Sequence, residues 1–437
     1  MLEKLFKLKE NKTTVRKELI AGLITFLTMS YILIVNPDIM GQTGMNKEAL
    51  FTATAVVAII GTLFMAFFAN FPVAQAPGMG LNAFFTFTVV LGMGCTWQFA
   101  LTAVFIEGLA FLLLTLTNVR ELIVNKIPQS LKDAIPVGIG LFITLIGLKS
   151  AGIVVSNGDT LVALGNMGDK NVWVAFLGIV VIGVLLARNI PGAILIGIIV
   201  STVFALILGV TKVPEGSLIS LPPDISPVFF KFEWSQVFTA KMAIVVFTFL
   251  MVNLFDTVGT LLAVASKAGL IDKDGSFPKV KNALFADAMG TTIGAICGTS
   301  TTSSYVESVS GVAAGGRTGL TSVSTAALFA LALFLSPIFL IVPTAATAPA
   351  LIIVGLFMVN SVLKINFDDF TEALPAYLTM IMMPFTYSIA QGIVYGMLGF
   401  VFIKVLAGKA KDVSITVYVI GTIFLIKMVI DATGFFG

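Results

Sequence analysis

The chain has 437 residues, 57% of them apolar and 11% charged, against roughly 45–50% apolar and about 25% charged in ordinary globular proteins. It has no histidine and only two cysteines, Cys95 and Cys297, which excludes histidine proton relays, zinc catalysis and a disulfide framework. A net charge of +3, carried between the apolar runs, leaves no nucleic-acid footprint, and the composition is that of one polytopic domain in a lipid bilayer, with no cofactor and no metal.

From Met1 to Leu19 the chain carries Lys4, Lys7, Lys9, Lys12, Arg16 and Lys17. The apolar segment that follows is long and lacks a small-residue cleavage site, so it is read as a retained first span and not a signal peptide. A span needs about 20 mostly apolar residues. That criterion predicts spans at 19–35, 50–69, 76–93, 97–117, 134–149, 172–187 and 191–209. After a polar connection at 210–237, a second group is expected at 238–266, 283–297, 300–316, 318–341, 344–362, 374–388 and 390–407. The chain then divides into an N-terminal segment, 1–18, two seven-span repeats, 19–209 and 238–407, and a C-terminal segment, 408–437. Within the last, the apolar run 413–430 is read as interfacial or as an extra span.

Cytoplasmic loops are enriched in Lys and Arg. With fourteen spans and the N-terminus inside, six basic residues before the first span and thirteen in later loops fall on the cytoplasmic side, against six opposite. Short internal matches run in the same order through both halves: Thr25-Phe26-Leu27 with Thr248-Phe249-Leu250, Ala49-Leu50-Phe51 with Ala283-Leu284-Phe285, and Gly140-Leu141-Phe142 with Gly355-Leu356-Phe357. Because each half holds an odd number of spans, the second is inverted relative to the first. Inverted repeats point to a secondary transporter with its site at the midplane.

The basic residues are assigned to the loops, so the interior is expected to offer acceptors and protons and no fixed cation. Ionisable residues within spans are costly and read as functional by default. Asp256 lies midway along the eighth span, and Thr260, four residues on, shares its helix face. Glu307 and Ser308 follow a run of six hydroxyl residues, Thr299 to Ser304. So many hydroxyls and glycines indicate broken backbone, tolerated at membrane depth only inside protein or beside a wet cavity. The corresponding third element, with Pro77, Gly78 and Gly80 before Asn82, cannot sustain a regular helix either. Interrupted segments at matching positions mark a transporter's site. Asn82, able both to donate and accept, is expected to contact substrate. Glu107 stands alone in an apolar helix and is equally open to a structural or a proton-path role. Asp287 is read as a packing residue near a span end.

At these motifs the sequence resembles the nucleobase:cation symporter group, specifically the azaguanine-resistance branch of purine permeases. The resemblance is carried by Ala76–Phe85 (APGMGLNAFF), Asn253–Leu261 (NLFDTVGTL) and Ala286–Gly319, and it covers nearly the whole chain. It implies an all-α, uracil-permease-like fold of seven plus seven spans. Spans 1–4 and 8–11 would form a core domain, spans 5–7 and 12–14 a gate domain, and segments 3 and 10 would each add a short strand. It implies substrate-binding roles for Asn82, Asp256 and Glu307, to which the residues add Thr260 and Ser308. Relatives outside this branch place a histidine one turn after the eighth-span acid, where this chain has Thr260, so histidine-based coupling is not inherited.

The function expected is proton-coupled import of a purine base, adenine, guanine or hypoxanthine, across the cytoplasmic membrane by alternating access. The partners are the base and a proton, and a homodimer is compatible with such a chain. Ionised carboxylates accept the base's N–H donors. Two acids in one low-dielectric site repel, so one should take a proton readily and the two should titrate together. Glu307, Asp256 and Glu107 are the proton-coupling candidates. The alternative is an anion transporter or exchanger of the same architecture, disfavoured by an interior of acids. An intramembrane enzyme would need a nucleophile and base that the sequence does not supply.

Overall fold

A computed structural model of the chain describes residues 2–117, 127–212, 217–270 and 279–433. The first half comprises α1 (Val15–Met29), α2 (Ile32–Met40), α3 (Lys47–Phe64), β1 (Gln75–Pro77), α4 (Met79–Ala83), α5 (Trp97–Leu116), α6 (Gln129–Ser150), β2 (Val154–Asn157), β3 (Leu161–Leu164), α7 (Lys170–Ala187) and α8 (Ala193–Ile207). The second comprises α9 (Ala240–Ala268), α10 (Val280–Cys297), β4 (Thr302–Ser304), α11 (Ser308–Ala313), α12 (Gly319–Ala332), α13 (Thr344–Val359), α14 (Phe370–Phe385), α15 (Ile389–Leu406) and α16 (Ile415–Thr433). Among the described residues nine helical stretches are long and apolar enough to cross a membrane. The apolar run left open at 413–430 lies within α16 from Ile415 onward.

Polar caps set where helices begin, so that α1 and α3 start a few residues before their apolar runs and α9 starts two residues inside its own. Thr14 accepts from Lys17 N–H ahead of α1, Asn46 from Ala49 N–H ahead of α3 (2.9 Å), and Thr239 from Met242 N–H ahead of α9 (3.2 Å). Each cap satisfies a donor that the first turn leaves orphaned. Hydropathy counts only the apolar part of such a helix. Helix α1 therefore takes in Glu18, which the sequence reading assigned to the N-terminal segment. Buried, Glu18 accepts from the backbone N–H groups of Arg317 (2.9 Å) and Thr321 (3.1 Å) and from the Thr321 hydroxyl (2.6 Å). That carboxylate caps the first turn of α12 from another helix.

The two segments expected to be broken are broken. Strands β1 and β4 pair antiparallel in the register Gln75↔Ser304, Ala76↔Ser303 and Pro77↔Thr302. Gly78 N–H donates to Thr301 O (2.9 Å) and Tyr305 N–H to Ala74 O (3.0 Å), extending the pairing at both ends. Backbone polar groups that would be unsatisfied in a membrane interior are thus paired across the two halves. A second strand pair, the hairpin of β2 with β3, falls where the sequence reading placed only a loop. Asn157 Oδ1 makes its turn, accepting from Asp159 and Thr160 N–H groups at 2.9 and 3.0 Å.

The chain forms two compact units, the first from the described residues of Met1–Leu116 and Ile146–Ile353, the second from those of Thr117–Leu145 and Val354–Gly437. In the first, Gly108 lets α5 close on α10: a Cβ there would lie 2.9 Å from Thr292 N. In the second, the repeat-related Gly140 and Gly355 face each other, and a Cβ on either would lie about 2.5–2.6 Å from the other's carbonyl oxygen. Equivalent positions meeting in this way, like the pairing of β1 with β4, are what an inverted repeat produces about its pseudo-two-fold axis.

The expectation of an interior without fixed cations is corrected by Lys404. It lies inside α15, 4% exposed, with its ammonium 2.6 Å from Glu372 Oε1. Glu372 Oε2 accepts from Ser130 Oγ at 2.5 Å, and the Phe400 ring lies 5.4 Å below the ammonium. A buried ammonium is tolerated because it is paired. This cluster lies wholly in the second unit, tying the starts of α6 and α14 to the end of α15.

Candidate functional site

The site is built on the strand pair of the first unit. Side chains alternate along an extended segment, so Thr301 and Ser303 share one face while Thr302 takes the other. Thr301 donates to Glu107 Oε2 (2.5 Å), and Ser303 hydrogen-bonds Asp256. Thr302 Oγ1 turns away to Gly290 O (3.1 Å), and its own carbonyl accepts from Thr291 Oγ1 (3.0 Å), fastening β4 to α10.

Asp256 comes from the middle of α9, and Glu307 from the turn between β4 and α11. Both are half-buried. They are close enough to repel each other, and Tyr305 lies within electrostatic reach of both. Tyr305 is itself fixed, its hydroxyl donating to Pro77 O at 2.6 Å. Tyr31, fully buried where α1 gives way to α2, donates to Glu307 Oε1 at 2.5 Å. Each half-open acid therefore receives one hydroxyl from a neighbouring element and keeps acceptor capacity, since an ionised carboxylate offers about four lone-pair sites.

Asn82 is fully buried in α4 and accepts from Ser300 Oγ, while its Nδ2 has no hydrogen-bond partner among the described residues. An unspent buried donor beside a broken helix is available to a ligand acceptor. Thr260 is buried one turn along α9 from Asp256. Ser308 Oγ accepts from Ala74 N–H at 3.1 Å, latching α11 to the approach to β1. Glu107 does not stand alone, since Asn253 Nδ2 donates to its Oε1 at 3.0 Å, opposite the Thr301 bond. Asp287 is fully buried and faces Thr257 Oγ1 at 3.1 and 3.2 Å.

Three residues of this region escaped the sequence reading. Tyr31 looked like an ordinary apolar-span aromatic. Ser303 was indistinct within its hydroxyl run. Gln75 precedes the Pro-Gly break, and only its polarity inside an apolar stretch signals it. Its Nε2 lies 3.5 Å from Asp287 Oδ1 and from Ser304 Oγ. Nearby, Phe84 and Phe249 pack edge to face with centroids 4.7 Å apart.

With this arrangement in place, comparison with known proteins decides the family. A permease family model (Xan_ur_permease) matches residues 16–395. The chain belongs to the permease family. This permease is 46% identical over 429 residues to the adenine permease AdeQ of Escherichia coli (strain K12), covering 98% of this chain and 96% of the relative. It is 45% identical over 436 residues to the guanine/hypoxanthine permease PbuG of Bacillus subtilis (strain 168), covering 97% and 98%. Among solved structures, the transmembrane domain of a cyanobacterium bicarbonate transporter BicA superposes with a TM-score of 0.66 at 16% identity, covering 87% of this chain and 97% of that one. That likeness carries the fold alone. The permease is a multi-pass membrane transporter with the uracil-permease-like fold, not an enzyme.

Proposed function

We propose that this permease imports purine bases across the cytoplasmic membrane, coupled to protons, with its N-terminus cytoplasmic. The observation that carries the reading is the pair of half-open, mutually repelling carboxylates beside β4, Asp256 and Glu307, in a chain whose near relatives are named for adenine and for guanine and hypoxanthine. A purine presents ring and exocyclic N–H donors, which ionised carboxylates accept. Asn82 Nδ2 supplies a donor for a ring nitrogen or a carbonyl. Thr260 and Ser308 complete the proposed contacts, Ser308 through its O–H, because its oxygen already accepts from Ala74. The coupled proton rides on a carboxylate of this unit, for which Glu307, Asp256 and Glu107 were the candidates. Alternating access follows when the unit bearing the site moves and exposes it to each side in turn.

The anion reading draws on the fold likeness to the bicarbonate transporter. It is disfavoured by the site's charge, since neither acid has a lysine or arginine among its described hydrogen-bond or charge partners. The test is competitive uptake in cells lacking their own nucleobase permeases. Unlabelled adenine, guanine or hypoxanthine should suppress uptake of a labelled purine, and uracil and bicarbonate should not. Equal competition by uracil would overturn the assignment.

A further inference from the structure

Besides Glu18, which caps α12, the first unit holds two wholly buried carboxylates: Glu107 in α5 and Asp287 in α10. They are joined by a chain of side-chain contacts through α9. Asp287 meets Thr257 Oγ1 at 3.1 and 3.2 Å, Thr257 Oγ1 meets Asn253 Oδ1 at 2.9 Å, and Asn253 Nδ2 meets Glu107 Oε1 at 3.0 Å. Thr257 and Asn253 are four apart, on one helix edge, so a single turn of α9 bridges both acids.

The hydrogens along this chain cannot be placed freely. Thr257 has one hydroxyl hydrogen, and Asn253 has one acceptor oxygen and one donor nitrogen. If Thr257 donates to Asn253 Oδ1, its oxygen must accept from a protonated Asp287, and the Asn253 NH₂ then donates to ionised Glu107. If the Asn253 amide is turned over, its oxygen accepts from a protonated Glu107. Its NH₂ then donates to Thr257, and Thr257 donates to ionised Asp287. Each arrangement gives these three contacts one donor and one acceptor apiece, and each holds one proton for the two acids. With both acids ionised, an acceptor is left facing an acceptor at one contact. Such an unmet buried contact costs about 1–3 kcal/mol.

We infer that Glu107 and Asp287, joined through Asn253 and Thr257, form a one-proton relay distinct from the substrate-binding acids and carry the proton that drives uptake. Both ends touch the strand pair that supports the site. Glu107 receives Thr301, two residues before the Ser303 that bonds Asp256, and Asp287 is reached by Gln75 of β1. Passing between arrangements requires one acid to lose a proton, the other to gain one, the Asn253 amide to turn and the Thr257 hydroxyl to reverse. That change alters what the strands are tied to, and so links protonation to the position of Asp256.

The inference rests on the proton-coupled reading, and its test separates the two. Wild type and the variants Thr257→Val, Thr257→Ser, Asp287→Asn and Glu107→Gln are reconstituted in vesicles and compared with adenine and hypoxanthine. Three readouts are taken: equilibrium binding, exchange without a gradient, and accumulation driven by acid outside. Thr257→Val, Asp287→Asn and Glu107→Gln should bind and exchange near the wild-type level while accumulation falls about 10-fold or more, the scale of one lost buried contact. Thr257→Ser, which restores the hydroxyl, should accumulate normally. Because Thr257→Val leaves both acids in place, it keeps the test decisive where an acid variant fails to fold. Wild-type accumulation in Thr257→Val, or loss of binding in parallel with accumulation, overturns the relay. A wild type that exchanges purine but never accumulates it under the gradient defeats the coupling itself.

Discussion

Tyr31 donates its phenolic hydrogen to Oε1 of Glu307 across 2.5 Å, although 276 residues separate the two in sequence. The bond joins the first span to the broken tenth segment. Thr28, one turn before Tyr31, adds a long contact from its hydroxyl to the Glu307 carbonyl at 3.5 Å. The proposed substrate acid is thus held by a helix of the other repeat.

Replacing Tyr31 by Phe keeps the ring and removes the donor. Losing a hydrogen bond to a charged group costs about 1.5–3 kcal/mol, so purine affinity should fall roughly 10-fold or more and the melting temperature should drop with the protein still folded. Titration calorimetry on purified protein measures the first and a melting curve the second. An unchanged affinity would mean that Glu307 is oriented without Tyr31.

The ion pair of the second unit should matter for stability and not for binding. Glu372→Gln leaves the Lys404 ammonium buried without its counter-charge. The expected loss is on the order of 2–3 kcal/mol, below the roughly 3–5 for a fully buried pair, because Glu372 keeps 27% side-chain exposure. The double change Lys404→Met with Glu372→Gln should recover part of it. Melting in detergent reads both, and a double variant less stable than Glu372→Gln alone would refute the account.

Much of this was legible in the sequence, for identifiable reasons. The spans declare themselves through apolar runs of membrane length, and the broken segments through Pro77, Gly78 and the hydroxyl run at 299–304. Starts of helices were less visible where the caps, Thr14 and Asn46, are polar and precede the apolar run. Pairings that give the site its geometry, such as Tyr31 with Glu307 and Thr301 with Glu107, cross between spans, and no local periodicity encodes them. Lys404 was counted with the cytoplasmic loop cations because it sits near the end of an apolar run and its partner, Glu372, lies on another helix.

The connection after α8 carries its own test. Thr96 donates to Glu233, and that hydrogen bond, reinforced by Gln236 (2.9 Å) and Ser235 (3.1 Å), holds the Glu233 carboxyl below the usual glutamate range. A depressed carboxyl favours the folded connection above the unfolded value and loses that advantage as pH falls through the folded one. Hydrogen exchange around residues 230–236 should therefore quicken, relative to its intrinsic rate, on acidification. Thr96→Val should flatten this dependence, and a variant with the wild-type profile would show that the bond contributes nothing.

The most direct test of the central claim is purine binding to purified Glu307→Gln and Asp256→Asn, with thermal stability measured alongside. Each change replaces an acceptor oxygen with a donor and sets donor against donor. The account predicts folded proteins whose affinity falls roughly 5- to 150-fold, the equivalent of about 1–3 kcal/mol. Wild-type affinity in both variants would contradict it and remove the two acids from the site.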